Sequence, residues 1–242
     1  MANHVLLNNV EHKNLKVKNS YTNAFGHDQM CVPVFPVEAR HAQAHYPLVF
    51  AKDANGQFQM VALLGLEQGE NVFFSEGQWS ASYKPLVVEK GPFLIGRSAP
   101  NESGEETLSI HVDLDDERVL MNENPVENAV DVFLPHGGNS EYIDNIANVL
   151  STLHESHERH KDFVDTLVKY NLIESFVVDV DVDGNGTHRL SGFYTINEDV
   201  LKGLERDALD TLHSNGHLET IYMMLASMSQ LRHIVALKKA SM

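Results

Sequence analysis

Pro135-His136-Gly137-Gly138-Asn139-Ser140-Glu141-Tyr142-Ile143-Asp144-Asn145-Ile146 is where the hydrophobic period of this chain changes. Upstream of it, short apolar runs are separated by turn residues. Downstream, apolar residues recur at Ile143, Ile146, Leu150, Leu153, Val164, Leu167 and Val168, the three-and-four spacing of one helix face. Asn139 or Ser140 supplies a capping side chain, so a helix is predicted from Ser140 to about Leu172.

Toward the N-terminus, Val32–Phe35 reads as a strand, and Val37 to His45 as two helical turns closed by Pro47. Pro47–Ala51 and Gln57–Leu64 flank Asp53-Ala54-Asn55-Gly56. Asn-Gly between two apolar runs is a strong hairpin signal, because both positions accept positive φ. Asn71–Phe74, Leu86–Val88, Phe93–Ile95 and Leu108–Leu114 read as further short strands, with Gly91-Pro92 and Ala99–Glu106 as turns or loops. Toward the C-terminus, Ser175–Val182 and His188–Tyr194 form a second hairpin around Asp183-Gly184-Asn185-Gly186. Two helices follow, Asn197–Asn215 and His217–Lys239, divided at Asn215-Gly216. The expected fold is α+β, a strand-rich N-terminal half with β-hairpins packed on a helix-rich C-terminal half. A single domain is expected over 1–242, with a strand-rich lobe at 1–134 and a helical lobe at 135–242 that holds a hairpin near 175–194.

Charge narrows the partners. The 242 residues carry 18 Lys+Arg against 34 Asp+Glu, a formal net charge of −16. Such a surface repels phosphate backbones and anionic lipid, so nucleic acid and membrane are not expected partners. No apolar run approaches the roughly 18 to 20 residues of a membrane-spanning helix. The start of the chain lacks a basic region followed by a long apolar one, so a cytoplasmic location is expected. A single cysteine, Cys31, excludes an intrachain disulfide and any CxxC site. Phosphate-binding glycine loops and the G-x-S-x-G elbow are absent as well.

Histidines and acids offer several motifs. Asp179-Val180-Asp181-Val182-Asp183-Gly184 opens like a calcium loop, but Leu190 stands where the bidentate glutamate belongs, and the alternating valines read as a strand. His154-Glu155-Ser156-His157 has three-residue spacing, so it is not the zinc motif HExxH. Ile146, Leu150, Leu153, His157, His160, Val164 and Leu167 step by four and three, which places His157 and His160 on the core-facing seam. There they can share a metal, hydrogen-bond an enclosed ligand, or serve as hydrogen-bonded histidines of the core or of a helix–helix contact. His111-Val112-Asp113 has the spacing of a facial-triad iron site, whose second histidine would be distant, His188 or His233. Core filling explains most of the many aromatic residues of the first half, Tyr46 among them, while Trp79 and Tyr83 suit a half-wet groove. Arg40 and Arg97, cations in an acidic chain, suit a carboxylate from the protein or from a ligand.

Several stretches together resemble the bacterial SapC-like family. They are Val34-Phe35-Pro36-Val37-Glu38-Ala39-Arg40 through Ala44-His45-Tyr46-Pro47-Leu48-Val49-Phe50, Ala62-Leu63-Leu64-Gly65-Leu66, Asn71-Val72-Phe73-Phe74, Trp79 and Tyr83. Gly91-Pro92-Phe93-Leu94-Ile95-Gly96, Val112-Asp113-Leu114-Asp115, Gly192-Phe193-Tyr194-Thr195-Ile196 and Gly216-His217-Leu218-Glu219 through Gln230-Leu231 continue it in order. The resemblance implies an accessory or binding protein that serves TonB-dependent uptake or peptide-modification gene clusters, and it carries no catalytic residues with it. It does not extend to the membrane permease of the same name. The leading expectation is therefore a non-enzymatic binding protein with a protein, peptide or small-molecule partner. Its candidate contact residues are Arg40, Tyr46, Trp79, Tyr83, Arg97, His157 and His160. A metal-dependent enzyme built on His111 and Asp113, and a surface-layer component, are the alternatives. Cofactor and oligomeric state are left open.

Overall fold

The computed structural model describes residues 3–97, 108–182 and 186–240. The strands run β1 (His4–Leu6), β2 (Leu15–Lys18), β3 (Cys31–Pro33), β4 (Leu48–Lys52), β5 (Phe58–Leu63), β6 (Phe74–Ser75), β7 (Gln78–Trp79), β8 (Phe93–Arg97), β9 (Leu108–Asp113), β10 (Val119–Met121), β11 (Ala129–Asp131), β12 (Ile173–Asp181) and β13 (Thr187–Ile196). The helices are α1 (Ala39–Ala42), α2 (Leu86–Glu89), α3 (Glu141–Lys169), α4 (Glu198–Lys202), α5 (Arg206–Ser214), α6 (His217–Ser227) and α7 (Leu231–Ala240). Strands dominate the N-terminal half and helices the C-terminal half, as expected. No helix among the described residues is long and apolar enough to cross a membrane.

The chain forms two compact units. One comprises residues 1–27, 76–78 and 88–154. It holds two three-stranded sheets, β1-β9-β8 and β10-β2-β11. Leu15, Val17, Phe93, Val112, Phe133 and Ile146 are among the buried residues of its core. Ser140 opens α3, its hydroxyl accepting from Ile143 N–H at 3.4 Å and donating to Val132 C=O at 2.9 Å.

The other unit comprises residues 28–75, 79–87 and 155–242. Its sheet has the order β12-β13-β4-β5-β3, antiparallel throughout. The Asn55-Gly56 hairpin joins β4 to β5: Asp53 Oδ1 accepts from Asn55 and Gln57 N–H, and Gly56 takes φ +77°. Phe50, Met60, Phe163, Leu167, Leu212 and Ile221 are fully buried in this unit. Ser227 fastens α6 to the sheet, its hydroxyl accepting from Leu48 N–H at 2.8 Å.

Five expectations need correction. Leu86–Val88 is helical, not a strand, because the Leu86 N–H is held by the Glu38 carboxylate. Asn71–Phe74 is not a strand either: Asn71 Oδ1 takes the Phe73 N–H, and pairing begins only at Phe74. The helix expected over Asn197–Asn215 breaks at Gly203 into α4 and α5, and the one over His217–Lys239 passes through a 3-10 turn at Met228–Gln230. The seam of α3 is also displaced. Ser156 and His160 are buried but His157 is exposed, since 3.6 residues per turn drift away from a strict four-three step. The tip Asp183-Gly184-Asn185 of the calcium-like loop, and the loop Ala99–Glu106, lie outside the described residues.

Candidate functional site

Phe35-Pro36-Val37-Glu38-Ala39-Arg40 turns the chain from β3 into α1 and presents two chemistries. Pro36 presets the first position of the 3-10 turn Pro36–Glu38, and Glu38 reaches back to the Phe35 N–H at 2.9 Å. Glu38 is 2% exposed, and its other oxygen accepts from Tyr83 Oη–H at 2.9 Å and Leu86 N–H at 2.8 Å. Burial pushes this carboxyl above its ordinary value, while the Leu86, Tyr83 and Phe35 donors pull against that. A relay runs beside it: Trp79 Nε1–H donates to Tyr46 Oη at 2.9 Å, and Tyr46 Oη–H donates to Tyr83 C=O. Tyr46 is fully buried, which pushes its hydroxyl well above the ordinary phenol value.

Tyr46, Trp79 and Tyr83 thus meet in one place. They form a hydrogen-bonded knot that the Tyr83 hydroxyl ties to Glu38, with Tyr46 and Trp79 packed against Phe73. Glu38→Gln is expected to destabilise the protein by about 2 kcal/mol, because the amide turns an NH2 toward a donor. A lowered urea midpoint at unchanged slope is the check, and an unchanged midpoint would show the carboxylate to be dispensable.

The other face of the same segment is open. A groove of about 660 Å3 lies between α1, α3 and α6, lined by Arg40, His41, Arg159, Asp162, His217 and Glu219 among others. Arg40 places Nη2 at 2.6 Å and Nε at 3.1 Å from one oxygen, Glu219 Oε1. Both side chains are more than half exposed, so the pair is readily exchanged for a ligand. Deeper in, His217 is 7% exposed, with Nε2 at 3.1 Å from Asp162 Oδ2 and its ring edge-on to Phe163. Gly216, at φ +75°, caps α6 with no side chain on the first-turn N–H groups.

His160 is a positioned core histidine. Its Nε2 accepts the Met60 N–H at 3.1 Å, next to the Met60 C=O that takes the Val34 N–H, and its ring packs edge-on to Phe35. Burial, then the neighbouring His157 charge, holds it down to about 4. His157 touches the same Phe35 ring from the exposed side. Arg97 belongs to the other unit, where it ends β8 opposite Leu108.

His111 and Asp113 share a face of β9. The His111 ring lies so close over Gly96 that a Cβ there would overlap it, and Asp113 Oδ1 accepts from Asn3 and Asp115 N–H. No group of three or more His, Cys, Asp or Glu able to hold a metal is found among the described residues. Burial pushes the Cys31 thiol up, away from nucleophilic character. Sequence reasoning missed Glu38, Asp162, His217 and Glu219. The readable signals were a glutamate three residues after Phe35, and a glycine directly before His217.

No curated protein and no solved structure matches the chain. The SapC family model matches residues 7–234, nearly the whole length, and the protein belongs to that family.

Proposed function

We propose that this SapC-family chain is a non-enzymatic cytoplasmic binding protein whose α1–α3–α6 groove takes a small polar ligand carrying both charges, such as a short peptide with both ends free. The observation that carries this reading is the groove itself, where Arg40 and Glu219 hold each other only at an exposed rim. An incoming carboxylate replaces Glu219 on Arg40, and an incoming ammonium is left to Glu219 and Glu158. The rigid knot around Glu38 supports the reading, because it fixes the backbone that carries Arg40. A ligand of this kind also suits the service to peptide modification or uptake that the family resemblance implies.

Native mass spectrometry of untagged protein tests this. The expected result is a chain carrying the added mass of a small molecule or peptide, and loss of that mass in Arg40→Glu. A bare chain in the wild type, or an adduct that survives Arg40→Glu and His217→Ala, would overturn the groove reading. An adduct of one metal ion would favour the enzyme alternative instead.

A further inference from the structure

β12 is an outer strand of the five-stranded sheet, and only β13 pairs with it among the described residues. The ladder shows which backbone groups its free side presents. Asn197 N–H bonds Leu172 C=O at 2.9 Å before the strand, and Val182 N–H bonds Gly186 C=O at 3.0 Å after it. Inward-bonding residues alternate in an antiparallel pair. The even-numbered residues of β12 therefore bond β13, and Ile173, Ser175, Val177, Asp179 and Asp181 turn their N–H and C=O outward. The irregularity between Phe176 and Val178 puts its extra residue on β13, where Gly192 takes φ +84°, so the outer row of β12 runs unbroken.

A groove of about 550 Å3 opens beside the first part of this strand, at Glu174 and Phe176. Phe176, Ile196, Leu225 and Met228 give it an apolar floor, and Glu174, Glu198 and Asp199 an acidic rim. Lys202, a cation in its lining, is engaged by Glu198 at 3.5 Å and Asp199 at 3.9 Å. On the opposite face of the strand, Val177 is 49% exposed.

We propose that the β12 edge docks an extended peptide segment of alternating basic and apolar residues, which adds to the sheet as a sixth strand. Every second side chain of an added strand falls on the groove side. Lysine or arginine there lays its methylene stem on Phe176 and Leu225 and brings its charge to Glu174, Glu198 and Asp199. The apolar residues in between cover Val177. Charge decides against a second copy of this chain: two β12 edges would set Glu174, Asp179 and Asp181 against the same acids, in a protein of net charge −16.

The test is fluorescence anisotropy with a labelled, end-blocked decapeptide alternating lysine and valine, against its glutamate–valine counterpart. Saturable binding of the basic peptide is expected, at least tenfold tighter than the acidic one. Val177→Pro removes an outward N–H and leaves the ladder to β13 intact, so it should weaken binding at least tenfold. Glu174→Lys, at an exposed position, should do the same and keeps the test valid if the proline variant fails to fold. Equal binding of the two peptides, or undiminished binding to Glu174→Lys, would overturn the proposal. A concentration-dependent dimer abolished by Val177→Pro would overturn it in favour of self-pairing. Arg40→Glu, which tests the α1–α3–α6 groove, should leave peptide binding unchanged, so the two readings fail separately.

Discussion

Lys238→Met is expected to lower the unfolding free energy by about 3–5 kcal/mol, the range for removing one partner from a buried ion pair. Lys238 is 3% exposed, with Nζ at 2.8 Å from Glu67 Oε1 and 2.6 Å from Glu70 Oε1. Burial pulls this ammonium down, but the hydrogen bonds it donates to the two glutamates, with their charges, outweigh that and raise it above its ordinary value. Methionine keeps most of the volume, but it leaves Glu70 without its cation. That carboxylate is only 19% exposed, and its other oxygen already accepts the Leu66 N–H at 2.8 Å. The loss should appear as a lower denaturation midpoint together with faster amide exchange throughout α7. A change under 1 kcal/mol would mean that water screens the pair through the half-exposed Glu67.

Acid should weaken the protein through His160, by about 3 kcal/mol in total. The folded imidazole titrates near 4, against an ordinary value of 6.5. Between those values the unfolded chain binds a proton that the folded one refuses. Stability therefore falls as pH drops from about 6.5 to 4, and this contribution is constant below 4. The physical cause is burial of the imidazole, then the neighbouring His157 charge, and the Met60 N–H is met by an unprotonated Nε2. His160→Gln retains an acceptor and does not titrate, so stability curves of the two proteins should diverge in slope across this window alone. Parallel curves would show that His160 does not control the acid response.

Local chemistry made part of the fold legible. Asn55-Gly56 fixed the β4–β5 turn because its conformational demand lies within the turn itself. Ser140 marked the start of α3 for the same reason. What could not be read depends on residues far apart in the chain. β2 is only four residues long and lies between β10 and β11, so its pairing comes from more than a hundred positions away. The helical turn at Leu86 is tied to Glu38 in the same way.

The candidate site divides along that line. Tyr46, Trp79, Tyr83 and Arg40 stood out by residue type; the structure joins the first three through the Tyr46 hydroxyl, and it ties Tyr83 to a buried acid that composition does not advertise. The exposure of His157 against the burial of His160 reflects a drift in helical phase, which a seam read in whole-number steps does not capture.

The unbroken helix α3 has a consequence for any attempt to work with pieces of this protein. Its 29 residues begin in one compact unit and end in the other, with the change at His154 and Glu155. The chain also changes unit near residues 27, 75, 78 and 87, so no single cut releases either unit whole. A fragment ending at residue 134 would keep every strand of the first unit yet lack Ile143, Ile146 and Leu150, the helical side of its core. Deletion mapping by halves would thus report misfolding where it was meant to report binding, and point substitutions are the means of separating the groove from the strand edge.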